Sequence, residues 1–137
     1  MDPLKNNNHT VRILIIEDDE AMRTLLKDFL VEEGTEIDFA ENGAEAYRKL
    51  IGEEFDLVIT DIRMPGFTGL DILPVIKKIQ PQASIIVMTA FGSDEVRRKS
   101  FDRGATTYLE KPFPFERLKT LIQEMVSTKP KDEGQWT

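Results

Sequence analysis

Continuous apolar runs and helical stripes alternate along this chain. Ile13, Leu14, Ile15 and Ile16 form a run suited to a strand buried on both faces, as in a parallel sheet, and it stops at Glu17, Asp18, Asp19 and Glu20. Met22, Leu25, Leu26, Phe29 and Leu30 then recur at helical spacing on one stripe, and Gly34 is the expected stop. Glu36 to Ala40 alternates Ile37 and Phe39 with charge, which predicts a strand at or near a sheet edge. After the turn pair Asn42 and Gly43, the positions Ala46, Tyr47, Leu50 and Ile51 predict a second helix ending at Gly52.

Leu57 to Thr60 is another apolar run. It delivers Asp61 to the C-terminal end of a predicted buried strand, just ahead of Pro65 and Gly66. Leu70, Leu73, Ile76 and Ile79 make a third helical stripe. Pro74 lies inside it, where a missing N–H and a ring clash cost about 3 kcal/mol in a regular helix, so a kink or a late start is expected. Ser84 to Met88 is a fourth strand, ending at Thr89 and Ala90. Ser93 to Arg103 favours helix, yet only Val96 and Phe101 stand out as apolar anchors, which predicts the most loosely docked helix of the set. Thr106 to Leu109 is the fifth strand, followed by Glu110, Lys111 and Pro112, and Phe115, Leu118, Leu121, Ile122 and Met125 form the closing helix.

Strands and helices in strict alternation predict a doubly wound (βα)5 flavodoxin-like sandwich. Its five-stranded parallel sheet would have the order 2-1-3-4-5 and right-handed crossovers. Residues 1–10 read as a flexible leader, 11–127 as a single domain, and 128–137 as a flexible tail or the start of a linker. His9 and Trp136 fall in those flanks, where solvated residues are the simpler reading.

Composition narrows the function. With no cysteine, disulfides, thiolate metal sites and cysteine nucleophiles are excluded. No apolar segment approaches the roughly 20 residues of a membrane span, and the start lacks a signal-peptide layout, so a cytoplasmic protein with no membrane role is expected. A formal net charge of -7 leaves little to hold a phosphate backbone, so direct nucleic-acid binding by this domain is not expected.

Four predicted strands end on polar residues: Glu17 with Asp18, then Asp61, Thr89 and Lys111. Taken singly each has an ordinary explanation. Asp18 or Asp19 would cap a helix, Asp61 a turn, Thr89 would end a strand and Lys111 would sit in solvent. In the proposed strand order, however, three carboxylates and one amine meet at the switch-point crevice. Clustered carboxylates repel one another unless a cation is shared, and Mg2+ suits oxygen ligands, with Mn2+ as a substitute. A carboxylate so neutralised can attack phosphorus and carry an aspartyl phosphate, with Lys111 and the Thr89 hydroxyl serving its equatorial oxygens.

The motifs Glu17-Asp18-Asp19, Asp61-Ile62-Arg63-Met64-Pro65-Gly66-Phe67-Thr68-Gly69, Met88-Thr89-Ala90 and Lys111-Pro112-Phe113 occur in this order. From about Val11 to Val126 the chain resembles the receiver domain of bacterial two-component response regulators. The resemblance implies a phosphoacceptor switch, not an enzyme acting on a separate substrate, that assists its own phosphorylation and dephosphorylation. Asp61 would be the phosphoacceptor, charged by a phosphohistidine on a sensor histidine kinase or phosphotransfer protein. Asp18 would bind Mg2+ directly, Glu17 through water, and the backbone carbonyl of Arg63 would complete the protein's share of the shell together with Asp61. Thr89 would be the switch hydroxyl and Tyr108 the aromatic that swings inward with it. Lys111 would pair with the phosphate, with a cis Lys111–Pro112 bond aiming its amine. Arg63 and Phe91 would influence the lifetime of the phosphate. Partners would be an effector domain, another protein, or a second copy docking through the fourth helix, fifth strand and fifth helix.

Three rivals share parts of this pattern. Haloacid-dehalogenase-like phosphatases place their aspartyl nucleophile after the first strand, whereas here the best acceptor follows the third. A flavin-binding module would need a first loop friendly to phosphate, and this loop is acidic. A phosphorylation-independent scaffold of the same fold would need no pocket residues, and all are present.

Overall fold

The computed structural model describes residues 10–31, 34–64 and 67–128. Residues 1–9 of the leader and 129–137 of the tail, with His9 and Trp136, lie outside the described residues, as do Glu32, Glu33, Pro65 and Gly66, whereas Thr128, placed in the tail by sequence, ends the last helix. In chain order the elements are β1 (Val11–Ile16), α1 (Glu20–Leu30), β2 (Thr35–Ala40), α2 (Gly43–Gly52), β3 (Leu57–Asp61), α3 (Gly69–Ile79), β4 (Ser84–Thr89), α4 (Asp94–Asp102), β5 (Thr107–Glu110) and α5 (Phe115–Thr128). Among the described residues, β1 to β5 form one parallel sheet in the order 2-1-3-4-5. A two-residue antiparallel ladder, Arg63–Met64 with Phe67–Thr68, joins β3 to α3. No described helix is long and apolar enough to cross a membrane.

Alternation along the central strands explains the three layers. Leu14, Ile16, Val58, Ile85 and Val87 face one side, where Ala46 and Leu50 of α2 and Ile72, Leu73 and Ile76 of α3 cover them. Ile13, Ile15, Leu57, Ile59, Ile86 and Met88 face the other, against Leu26 and Leu30 of α1 and Leu118 and Ile122 of α5. Each such buried Val, Leu, Ile or Met side chain contributes on the order of 1.5–3 kcal/mol. Both faces of β1, β3 and β4 are covered, which is why they read as unbroken apolar runs.

Several expectations change in detail. The stripes proposed for the outer helices are too wide: Leu25, Tyr47 and Ile51 are exposed, because a helix covering one sheet face seals it with about two residues per turn. In α4 the buried residue is Ser100, and Phe101 is 38% exposed, so Phe101 is no core anchor. The first helix stops at Leu30, capped by the Val31 N–H on the Lys27 carbonyl, well before Gly34. Gly34 instead adopts a φ of 88° and its carbonyl accepts from Val11 N–H as β1 begins. The late start expected at Pro74 does not occur, since α3 begins at Gly69 and carries Pro74 inside it. The Leu70 carbonyl, which a residue-74 N–H would have taken, accepts from the Arg103 guanidinium at 3.1 Å.

Candidate functional site

Strand register builds the site. Ile16 pairs with Thr60, so the next residues, Glu17 and Asp61, come side by side at the C-terminal edge of the sheet. Asp61 pairs with Met88, and Thr89 pairs with Glu110, so Thr89 and Lys111 follow from the neighbouring strands at the same C-terminal edge. The Lys111 N–H donates to the Thr89 carbonyl at 2.8 Å, extending that ladder by one residue. Lys111–Pro112 is a cis peptide.

At the centre, the Lys111 ammonium bridges two buried carboxylates. Nζ donates to Asp61 Oδ2 at 2.8 Å and to Glu17 Oε1 at 3.2 Å. Glu17 is 1% exposed and Asp61 7%. Burial pushes the Glu17 carboxyl up, against the opposing pull of Lys111. Burial lowers the Lys111 amine, but its hydrogen bond and attraction to Asp61, with the charge of Glu17, outweigh that and leave it raised. The other Asp61 oxygen, Oδ1, accepts the Arg63 backbone N–H at 2.9 Å, so both oxygens are oriented.

The flanking loop is drawn tight over β3. Gly69 N–H donates to the Ile62 carbonyl at 2.6 Å, and a Cβ at Gly69 would lie 2.4 Å from the Asp61 carbonyl oxygen, so only glycine allows this approach. Thr89 is fully buried, and its Oγ1 accepts the Phe91 N–H at 3.0 Å. Tyr108 packs partly against the core beneath the β4–α4 loop. Its hydroxyl is buried without a well-formed hydrogen bond, with the Ser93 backbone as its favourable neighbour and Glu110 as an unfavourable charge; burial and Glu110 together raise its pKa.

The structure thus unites Glu17, Asp61 and Lys111, with Asp18 exposed. No three carboxylate or imidazole groups among the described residues lie close enough together to hold a metal ion. The ammonium neutralises the inner pair, and Asp18 is exposed to solvent next to Glu17 in sequence. Asp19 is committed elsewhere, since its side chain caps α1 by accepting the Met22 N–H at 3.1 Å. The donor set, oxygen only and half solvated, fits a hard divalent cation that keeps several waters.

Two contacts escaped sequence reasoning, although the family resemblance itself singles out Arg63 and Phe91. Arg23 on α1 donates to the Glu17 backbone carbonyl at 2.9 Å, fixing the carbonyl of an acidic residue from one turn away. The Arg63 guanidinium stacks over the exposed Phe91 ring at 4.2 Å, closing one flank of the pocket. The first has a local signal, a basic residue six positions after Glu17. The second joins two loops and has none.

A doubly wound sheet whose C-terminal edge carries a lysine-bridged aspartate is the arrangement of a receiver domain, and the chain belongs to the response regulator receiver domain family of two-component systems, matching its profile over residues 13–123. Among curated relatives it is 38% identical over 116 residues to the DNA-binding transcriptional regulator NtrC of Azospirillum brasilense. That match covers 85% of this chain and 24% of NtrC, so the chain spans about a quarter of that relative's length. Among solved structures, the response regulator TrrA of Thermotoga maritima in complex with Mg(2+)-BeF is 42% identical, with a TM-score of 0.74 covering 84% of this chain and 98% of that one. The beryllofluoride-activated NtrC4 receiver domain dimer is 32% identical, with a TM-score of 0.81 covering 87% and 98%.

Proposed function

We propose that Asp61 accepts a phosphoryl group from a phosphohistidine of a sensor histidine kinase or phosphotransfer protein, and that the modified domain signals through the surface of α4, β5 and α5. The observation that carries this reading is the Lys111 ammonium held 2.8 Å from Asp61 and 3.2 Å from Glu17. An Asp61 oxygen forms the new O–P bond as the P–N bond breaks, and the electron pair stays on the imidazole nitrogen, which takes up a proton. Lys111 then moves from the carboxylate to a phosphoryl oxygen, and Thr89 gives its hydroxyl to another. Asp18, Asp61 and the Arg63 carbonyl would hold Mg2+, with Glu17 acting through water, and the ion when bound supplies charge neutralisation at the transferring phosphoryl group; Mn2+ is the expected substitute.

As Thr89 moves, its hold on the Phe91 N–H is released, which frees the loop above Tyr108. The ring then turns inward and α4 shifts. The remodelled face would receive an effector domain, another protein or a second copy of the chain. The same pocket admits water to the aspartyl phosphate, so the domain assists its own dephosphorylation. The protein would work in the cytoplasm, beside the kinase that charges it.

Intact-mass measurement after exposure to acetyl phosphate tests the assignment. Wild type should gain the mass of one phosphoryl group with Mg2+ and none in EDTA, and Asp61→Asn should gain none. Labelling of Asp61→Asn to the wild-type extent would overturn it.

A further inference from the structure

Helix α4 is held unequally at its two ends. At the C-terminal end, Arg103 Nη1 donates to the Leu70 carbonyl of α3 at 3.1 Å and lies 3.3 Å from Asp71 Oδ1. The ion pair is solvent-exposed and weak. The carbonyl bond is different in kind. In a regular helix the Leu70 oxygen belongs to the N–H of residue 74, and residue 74 is proline, so Arg103 supplies a donor that α3 cannot supply for itself. Beside it, Gly104 at φ 116° brings the backbone against α3 so closely that a Cβ would lie 2.4 Å from Lys77 Cγ.

At the other end the hydrogen bonds seen among the described residues stay within α4 and its own loop. Ser93 caps the helix by accepting the Val96 N–H at 3.1 Å, a bond that travels with α4 itself. The preceding loop carries exposed Phe91, and the nearest atoms a Cβ at Gly92 would meet belong to the movable ends of Tyr108 and Glu110.

We infer that Arg103, seated on the carbonyl that Pro74 leaves free, is the pivot of α4: it fixes the C-terminal end of that helix to α3, so that displacement of α4 is a swing of its N-terminal end beside Thr89. The inference rests on the preceding reading only in taking α4 as the element that moves.

Amide hydrogen exchange on the full chain tests it, in wild type, Arg103→Ala, Pro74→Ala and the double variant. Without ligand, Arg103→Ala should speed exchange at residues 101–105 about fivefold. In the Pro74→Ala background the restored N–H takes the Leu70 carbonyl, and the same substitution should have less than half that effect. With Mg2+ and beryllofluoride, wild type should change at 94–98 and stay within about twofold at 101–105, whereas Arg103→Ala should respond along the whole helix. Equal effects of Arg103→Ala in both backgrounds would overturn the pivot alone, because that comparison needs no ligand. A ligand response concentrated at 101–105 in wild type would also overturn it. Absence of any response in α4 would overturn the switch reading and the pivot with it.

Discussion

Glu17 shows what a receiver pocket asks of single residues. Its carboxyl is raised by burial, and a group whose folded pKa lies above its unfolded value contributes stability that is fully present below the unfolded pKa and lost as pH rises through the folded one. At neutral pH, Glu17 therefore weakens the fold relative to acid. Glu17→Gln keeps an acceptor for the Asp19 N–H and leaves Lys111 paired with Asp61. The variant should be more stable than wild type at pH 7 by on the order of 1 kcal/mol, and the difference should shrink as pH falls into the carboxylate range. Urea melts at pH 7 and pH 4 check the sign; a gain that grows toward acid contradicts it. Gly92 offers a second test. A Cβ there would lie 2.1 Å from the Tyr108 hydroxyl and 2.2 Å from Glu110 Oε2, both ends of side chains that can leave. Gly92→Ala should expel the Tyr108 ring toward solvent with a loss of stability of about 1 kcal/mol or less, read by tyrosine ring NMR shifts that no longer respond to Mg2+ and beryllofluoride.

Among the elements, α4 is the one whose existence depends most on its ends. Its Ser93 cap satisfies the Val96 N–H, and little apolar burial supports the helix beyond Val96. Ser93→Ala should cost about 1 kcal/mol and raise hydrogen exchange in the first turn of α4 without disturbing β4. Such a helix was readable as weak from Asp94, Glu95, Arg97, Arg98 and Lys99, because so many charges leave little to bury. The strands were readable for the opposite reason: Ile13 to Ile16 and Leu57 to Thr60 are covered on both faces. The helix stripes were harder. Tyr47 and Ile51 have helical spacing yet face solvent, since periodicity says which residues share a face and not how much of it the sheet needs. In the site, Glu17, Asp61, Thr89 and Lys111 stood out as polar residues ending apolar runs. Arg103 did not, because its partner carbonyl lies 33 positions away and is free only through a proline in another helix.

For the molecule as a whole, the central ammonium and a divalent cation should be partly interchangeable supports of the fold. Two buried carboxylates at neighbouring strand ends are tolerated because Lys111 lies between them. Removing one partner of a buried ionic cluster leaves uncompensated charge, so Lys111→Ala in EDTA should lose about 3 kcal/mol. The apolar layers are untouched by that change, so unfolding should stay cooperative and the loss should appear as a lower midpoint at unchanged denaturant dependence. A cation accepted by the same oxygens binds the folded state alone and stabilises it by mass action. Millimolar Mg2+ should therefore raise the melting temperature of Lys111→Ala more than that of wild type, and should do so less in Lys111→Ala combined with Asp61→Asn, where one carboxylate is gone. If Mg2+ stabilises wild type and Lys111→Ala equally, the ammonium and the ion do not share the charge of Glu17 and Asp61, and the electrostatic basis for placing phosphoryl chemistry at this sheet edge fails.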